Sequence, residues 1–236
     1  MTTQIKPYCA QIHPASHIQE SPDILHKKYK TTYTVQLCDK SWLEIPLCAL
    51  PDGEHAIALL MSNQSSFQVI EHITTLMALK ASMLQPDCIV AVPTMGLEYG
   101  SKIAQKLGMS TYTALGFSHK FWYNAALSEP VISTTSPDQQ KNLYLDPALR
   151  SRVEGKRVVV VDDVINTGSS VLAALRLLKR ANAHIVGVVI ALTEGYTWQT
   201  TLADPLVSAS SQVYAIGHIP IFQKQGSAWV AQPETL

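Results

Sequence analysis

Two adjacent carboxylates, Asp162 and Asp163, follow the run Val158–Val161 and precede a loop of small polar residues, Asn166-Thr167-Gly168-Ser169-Ser170. Carboxylates accept hydrogen bonds from hydroxyls or hold a hard cation. The hydroxyls of Thr167, Ser169 and Ser170, with free N–H groups at a helix start, suit a phosphate. The acids would repel that phosphate. A ligand that uses both halves therefore carries a phosphate at one end and hydroxyls, or metal-bound oxygens, at the other.

A bare Asp-Asp pair is more often an ordinary strand end with solvated acids, so the flanking elements decide the reading. Val158–Val161 reads as a buried strand and Val171–Arg180 has helical spacing. The acids are then expected at the carboxyl end of a parallel strand, where open α/β sheets bind ligands. A second junction of the same form lies upstream. The strand Cys88–Pro93 leads into Thr94-Met95-Gly96-Leu97, and a helix through Ser101–Leu107 stops at Gly108. Gly96 would let backbone N–H groups approach an anion, although a simple βα turn explains the glycine equally well. Thr94 and Met95 bring no charge, so binding there would lean on the backbone.

The remaining pattern is that of an α/β protein. Phe67, Ile70, Ile73, Leu76, Met77 and Leu84 are expected on one helical face, capped by Ser65 or Ser66, with His72 partly exposed. His184–Leu192 is a strongly apolar strand, and Thr193-Glu194-Gly195-Tyr196 leaves its carboxyl end. Gln212–Ile216 is a last strand. Alternation of strands and helices from residue 55 onward predicts a mostly parallel twisted sheet with helices on both faces. Residues 1–54 read as an irregular arm followed by a hairpin, Thr31–Cys38 and Trp42–Leu47, with Pro46 placing the second strand at an edge or at its end. Residues 55–222 form the expected core, and 223–236 a polar tail.

The stretch Val158–Ser170 resembles the phosphoribosyl pyrophosphate (PRPP) signature of the type I phosphoribosyltransferases: four apolar residues, two acids, two apolar residues, then a small Thr/Gly/Ser loop. Asn166 departs from it, standing where that family usually has Ala, Ser or Thr. The resemblance implies a type I phosphoribosyltransferase fold with the N-terminal hairpin as a hood. It also implies transfer of the 5-phosphoribosyl group from PRPP to a nucleobase, with release of pyrophosphate. On it, Asn166, Thr167, Gly168, Ser169 and Ser170 hold the 5-phosphate, while Asp162 and Asp163 hold the ribose hydroxyls. Val164 and Ile165 pack beside the base, and Thr94, Met95, Gly96 and Leu97 receive pyrophosphate.

The long segment from about 116 to 141 resembles the family's flexible lid. Strands are expected within it and just after it, at Pro130–Thr134 and Asn142–Leu145. Lys120, and second to it Lys141, are its candidates for touching pyrophosphate, though both also read as solvated lysines. Trp122 and Tyr123 would either stack on a base or anchor the loop. Mg2+ would come with PRPP, with no direct protein ligand except Asp162 as a candidate. Glu194 and Tyr196 fall near the base. The order of strand, Thr-Met-Gly loop, lid and signature is most similar to the adenine and xanthine branch, which implies a purine acceptor and a homodimer. A PRPP-sensing regulator of the same fold that does not catalyse is the alternative. A Rossmann domain is disfavoured, because no Gly-x-Gly-x-x-Gly follows the first strand.

Composition narrows the field. The 236 residues are 47% hydrophobic and 15% charged, with formal net charge zero and no basic tract, so no nucleic-acid partner is expected. Cys9, Cys38, Cys48 and Cys88 lack metal-ligand spacing and read as reduced thiols. The start of the sequence lacks the apolar core of a signal peptide, and no run reaches membrane-spanning length, so a cytoplasmic protein without membrane contact is expected.

Overall fold

The computed structural model describes residues 8–16, 27–131, 141–207 and 212–236. The elements in chain order begin with β1 (Gln11–His13), β2 (Thr32–Gln36), β3 (Trp42–Ala49) and β4 (His55–Ala58). Next come α1 (Phe67–Ser82), β5 (Cys88–Ala91), α2 (Gly96–Lys106), β6 (Thr113–Ala114), β7 (Ser128–Val131) and β8 (Lys141–Tyr144). The chain continues through β9 (Arg157–Ile165), α3 (Ser169–Arg180), β10 (His184–Glu194), α4 (Thr197–Leu202), β11 (Val213–Ile219), β12 (Phe222–Gln225) and β13 (Ala228–Ala231).

A parallel sheet of order β11-β10-β9-β5-β6 forms the centre. Its strands are apolar on both sides because both sides are covered. Val159 and Val161 pack with Ile70, Ile73, Tyr99 and Ile103 from α1 and α2. Val158 and Val160 pack with Val171, Leu175 and Leu178 from α3. Ser66 caps α1 by accepting from the Val69 N–H at 3.3 Å. Gly108, at φ +73°, follows α2 as expected of a terminating glycine.

The second sheet is antiparallel and larger than the hairpin the sequence suggests. The β2–β3 hairpin forms in the expected register, Gln36 opposite Trp42. However, β3 is the hub and not an edge, since it also pairs with β1 through residues 42–44 and with β4 through residues 47–49. Pro46 falls between those two stretches, so its missing N–H costs neither ladder a bond. β4, expected to begin the parallel core, belongs here instead. Residues 223–236 are no polar tail. β12 pairs antiparallel with β4 and β13, Tyr29 bridges Trp229, and Phe222 is fully buried against Tyr29 and Tyr33.

Three smaller expectations need correction. Phe67 has the right helical phase but lies in the first residue of α1, where it is 86% exposed. Helix α2 starts at Gly96 rather than near Ser101. His72 is half-buried and held, its Nε2 lying 2.9 Å from Ser41 Oγ and 3.1 Å from Asp39 Oδ2, which ties α1 to the β2–β3 turn.

The 116–141 segment is partly structural. Its ends are pinned by reciprocal bonds between Gly116 and Tyr144 (3.1 and 2.8 Å) and by the β7–β8 pairing. Leu127, Val131, Leu143 and Leu145 sit in the core under α3, and buried Glu129 pairs with Arg176 and Arg180 of that helix. The exposed part carries Phe121, at 94%, and Trp122. Residues 132–140, which include the expected strand end at 132–134 and most of the Ser/Thr/Pro/Gln stretch, lie outside the described residues. So do residues 1–7 and 17–26 of the expected arm.

Candidate active site

The valine run does not stop at the acids, because β9 continues through them to Ile165. Its neighbours carry it on. Ile190 of β10 lies opposite Asp162, and Thr193 opposite Ile165. Asp162 is therefore buried inside the sheet, at 6% exposure, and its Oδ1 accepts the Asp163 N–H at 2.9 Å. Burial, and then the neighbouring Asp163 charge, push the Asp162 carboxyl well above the usual carboxylate range. Asp163 keeps some contact with solvent but is enclosed by protein on most sides, and desolvation raises it as well.

After Ile165 the chain turns through Asn166-Thr167-Gly168 onto α3. Gly168 has φ +80° and stands at the N-cap of that helix. A Cβ there would also come within 3.3 Å of Trp198 Cα and Cβ, so both conformation and packing require glycine. Thr167 Oγ1 and Ser169 Oγ lie 3.0 Å apart, next to the open N–H groups of the first helical turn. A cavity of about 230 Å³ is lined by Asp162, Val164, Ile165, Asn166, Thr167, Gly168, Ser169, Ser170, Val171 and Val131. No lining residue is basic. An anion bound here would be met by hydroxyls, backbone N–H groups and the α3 dipole.

The upstream loop reaches the same acid. A Cβ on Gly96 would meet Asp162 Oδ1 and Val161 O, both at 2.9 Å. The glycine is thus demanded by the close approach of α2 to β9, whereas the sequence suggested room for an anion. Thr94 is exposed, Met95 and Leu97 are half-buried, and the Met95 carbonyl accepts from Ser62 Oγ at 2.7 Å. Asp162 touches the 94–97 turn on one side and opens onto the 166–170 loop on the other.

Other expected residues are placed less centrally. Lys120 and Lys141 are exposed and do not line the cavity. Tyr123 stacks back toward Tyr144 (5.7 Å between centroids), and Trp122 Nε1 donates to Asp146 Oδ2 at 3.2 Å. Both rings anchor the loop. Tyr196 stacks on His218 (5.0 Å, 18°) and donates its hydroxyl to the Leu236 carbonyl at 2.6 Å.

A contact invisible in the linear sequence joins Asn166 to Glu194. Asn166 Nδ2 donates to Glu194 Oε2 at 2.5 Å. Glu194 is 4% exposed, its Oε1 has no partner among the described residues, and burial raises its carboxyl to about 7 against the lowering effect of Asn166. The clue available beforehand was positional: one acid just past the end of the strand neighbouring the signature.

A parallel sheet with helices on both faces, and two loops meeting over an acid at one strand's end, define a nucleotide-type α/β binding site. The family model described as phosphoribosyl transferase domain matches residues 61–217, and the chain belongs to that family. Among curated relatives, adenine phosphoribosyltransferase of Rhodococcus jostii is 34% identical over 116 residues, which is 49% of this chain and 62% of that protein. Orotate phosphoribosyltransferase of Bacillus caldolyticus is 35% identical over 85 residues, covering 35% of this chain and 40% of that protein. The chain thus spans less than two thirds of either relative. A crystal structure of adenine phosphoribosyltransferase from Thermoanaerobacter pseudethanolicus superposes with TM-score 0.54 at 17% identity, covering 64% of this chain and 81% of that one. That likeness bears on the fold. Among the described residues no helix is long and apolar enough to cross a membrane.

Proposed function

We propose that this chain transfers the 5-phosphoribosyl group from PRPP to a nucleobase, with a purine as acceptor, and releases pyrophosphate. The observation that carries this reading is Asp162, buried where the Gly96 turn and the Asn166–Ser170 loop meet. A ligand with phosphate groups at both ends and a diol between them would engage all three parts. The purine choice rests on relatives and solved structures named as adenine phosphoribosyltransferases, while the orotate relative keeps other bases in the assay.

In this reading the 166–170 loop takes the 5-phosphate through hydroxyls and backbone N–H groups. Asp162 and Asp163 accept from the ribose hydroxyls. Thr94 to Leu97 face pyrophosphate, and Val164 and Ile165 flank the base. Charge develops at the anomeric carbon as the leaving group departs, so positioning and electrostatics dominate. Residues 116–141 act as the lid that excludes water, with Lys120 brought toward pyrophosphate on closure.

Among the described residues no group of three or more His, Cys, Asp or Glu converges. Such a sparse donor set fits Mg2+, which keeps several waters and binds substrate oxygens, with Asp162 as the carboxylate at hand. The ion would supply charge neutralisation on the leaving pyrophosphate. We further propose residues 1–54 as a hood over a 55–222 catalytic unit, and a homodimer, which light scattering tests.

The central experiment incubates protein, PRPP and Mg2+ with adenine, guanine, hypoxanthine, xanthine, uracil or orotate while pyrophosphate is measured. Release with a purine is the expected result. PRPP binding without turnover on any base favours a PRPP-sensing regulator, a reading that the absence of basic residues from the cavity lining supports. No PRPP binding at all overturns both.

A further inference from the structure

The Asn166–Glu194 contact has features of a built specificity element. Both side chains come from the carboxyl ends of adjacent parallel strands, β9 and β10, whose register places Ile165 beside Thr193 and so Asn166 beside Glu194. An ionised carboxylate only accepts hydrogen bonds, so the amide must turn its nitrogen toward Glu194. Asn166 Oδ1 is then the amide atom left over. It has no hydrogen-bond partner among the described residues and is not among the buried orphaned atoms, although Asn166 lines the cavity. Glu194 is enclosed on its far side, because Gly195 packs against Ile221 and Thr235. The amide therefore has one orientation available, and it offers an acceptor to whatever fills the cavity.

Resting on the transferase reading above, we propose that Glu194 is a positioning residue that locks the Asn166 amide, and that Asn166 Oδ1 selects an acceptor base carrying an N–H or amino hydrogen on the edge facing β9. A base with a lone pair at that edge is met by a second acceptor and is disfavoured. The alternative use of Glu194, as a purely structural carboxyl closing the end of β10, predicts no change in base choice when it is altered.

The test compares kcat/KM for adenine and for hypoxanthine in the wild type, E194A, E194Q, N166D and the double variant E194Q/N166D. In E194A the ratio between the better and the poorer base should fall about tenfold, the worth of one hydrogen bond to a fixed partner. KM for PRPP should move much less. N166D alone places two carboxylates together and should lose both selectivity and base affinity. In the double variant the introduced glutamine amide can donate to the introduced aspartate, leaving a fixed acceptor at the cavity wall, so selectivity should return toward the wild-type ratio. Thermal melts of each variant separate this result from misfolding.

Unchanged selectivity in E194A and E194Q overturns the proposal while leaving the transferase reading intact. Altered single variants with no recovery in the double variant overturn the coupling. Should the wild type release no pyrophosphate with any base, calorimetric affinity for AMP and IMP gives the same ratio without turnover. Binding of neither overturns the proposal together with the reading beneath it.

Discussion

The two sheets of this protein solve different problems. The parallel sheet builds its ligand-facing edge from short sequence stretches, each a strand, a turn and a helix start in immediate succession. β9, the 166–168 turn and α3 are contiguous, and so are β5, the 94–95 turn and α2. The antiparallel sheet instead collects strands from residues 11–58 and from residues 222–231. Its core contact is a triangle of Tyr29, Tyr33 and Phe222, with ring centroids 5.0 to 5.7 Å apart. One sheet is organised around a buried polar group, the other around aromatic packing. Variation in the first should change chemistry, and variation in the second should change stability.

That contrast can be broken most forcefully at Phe222. Phe222→Ala removes a fully buried ring and should cost about 3–5 kcal/mol in denaturant unfolding. Turnover per folded molecule should change little; a large loss of activity at unchanged stability would merge the two sheets functionally. Asp162→Asn is the converse. It keeps shape and removes a carboxylate that burial already disfavours, so unfolding should change little while kcat falls by about 10²–10³.

Glu194 sharpens the boundary through pH. Its carboxyl rises from 4.5 in the ordinary state to about 7 in the fold, so the native state binds more protons than the unfolded chain between those values. Stability from this group is complete below 4.5 and is lost as pH rises through about 7, by at most about 3 kcal/mol. E194Q should flatten that part of the unfolding-versus-pH curve, and an identical slope in both proteins would contradict the assignment. Smallest is Gly96→Ala, whose added methyl presses on Asp162 and Val161. A cost of about 1–3 kcal/mol is expected, with a fall in PRPP affinity because the Asp162 side chain must move.

The same contrast explains what could be read beforehand. The Val158–Ser170 stretch was legible because its partners are its own sequence neighbours: apolar run, acids, turn glycine and amphipathic helix. The β12–β13 pair was not, since Gln223, Lys224 and Gln225 look polar and their ladder partners lie beyond the whole core. Phe67 misled because periodicity reports phase and not whether a neighbour exists at that height on the helix. Gly96 was recognised as special for the wrong cause, as tight approach to an anion and to β9 leave the same mark. Asn166 stood out as irregular, but its meaning depended on Glu194, which only the β9–β10 register brings alongside.

β4 and β12 are direct antiparallel neighbours, Ala56 opposite Phe222 and His55 opposite Gln223. The chain leaves one sheet at the end of β4 and re-enters it at the start of β12. Everything between, residues 59–221, nearly coincides with the family match at 61–217. In architectural terms the family domain is an insertion spliced into the turn of a hairpin, its entry and exit held a strand's width apart. Such a cassette could be excised and the hairpin closed with a short loop, or exchanged for another cassette, without altering the sheet that carries it.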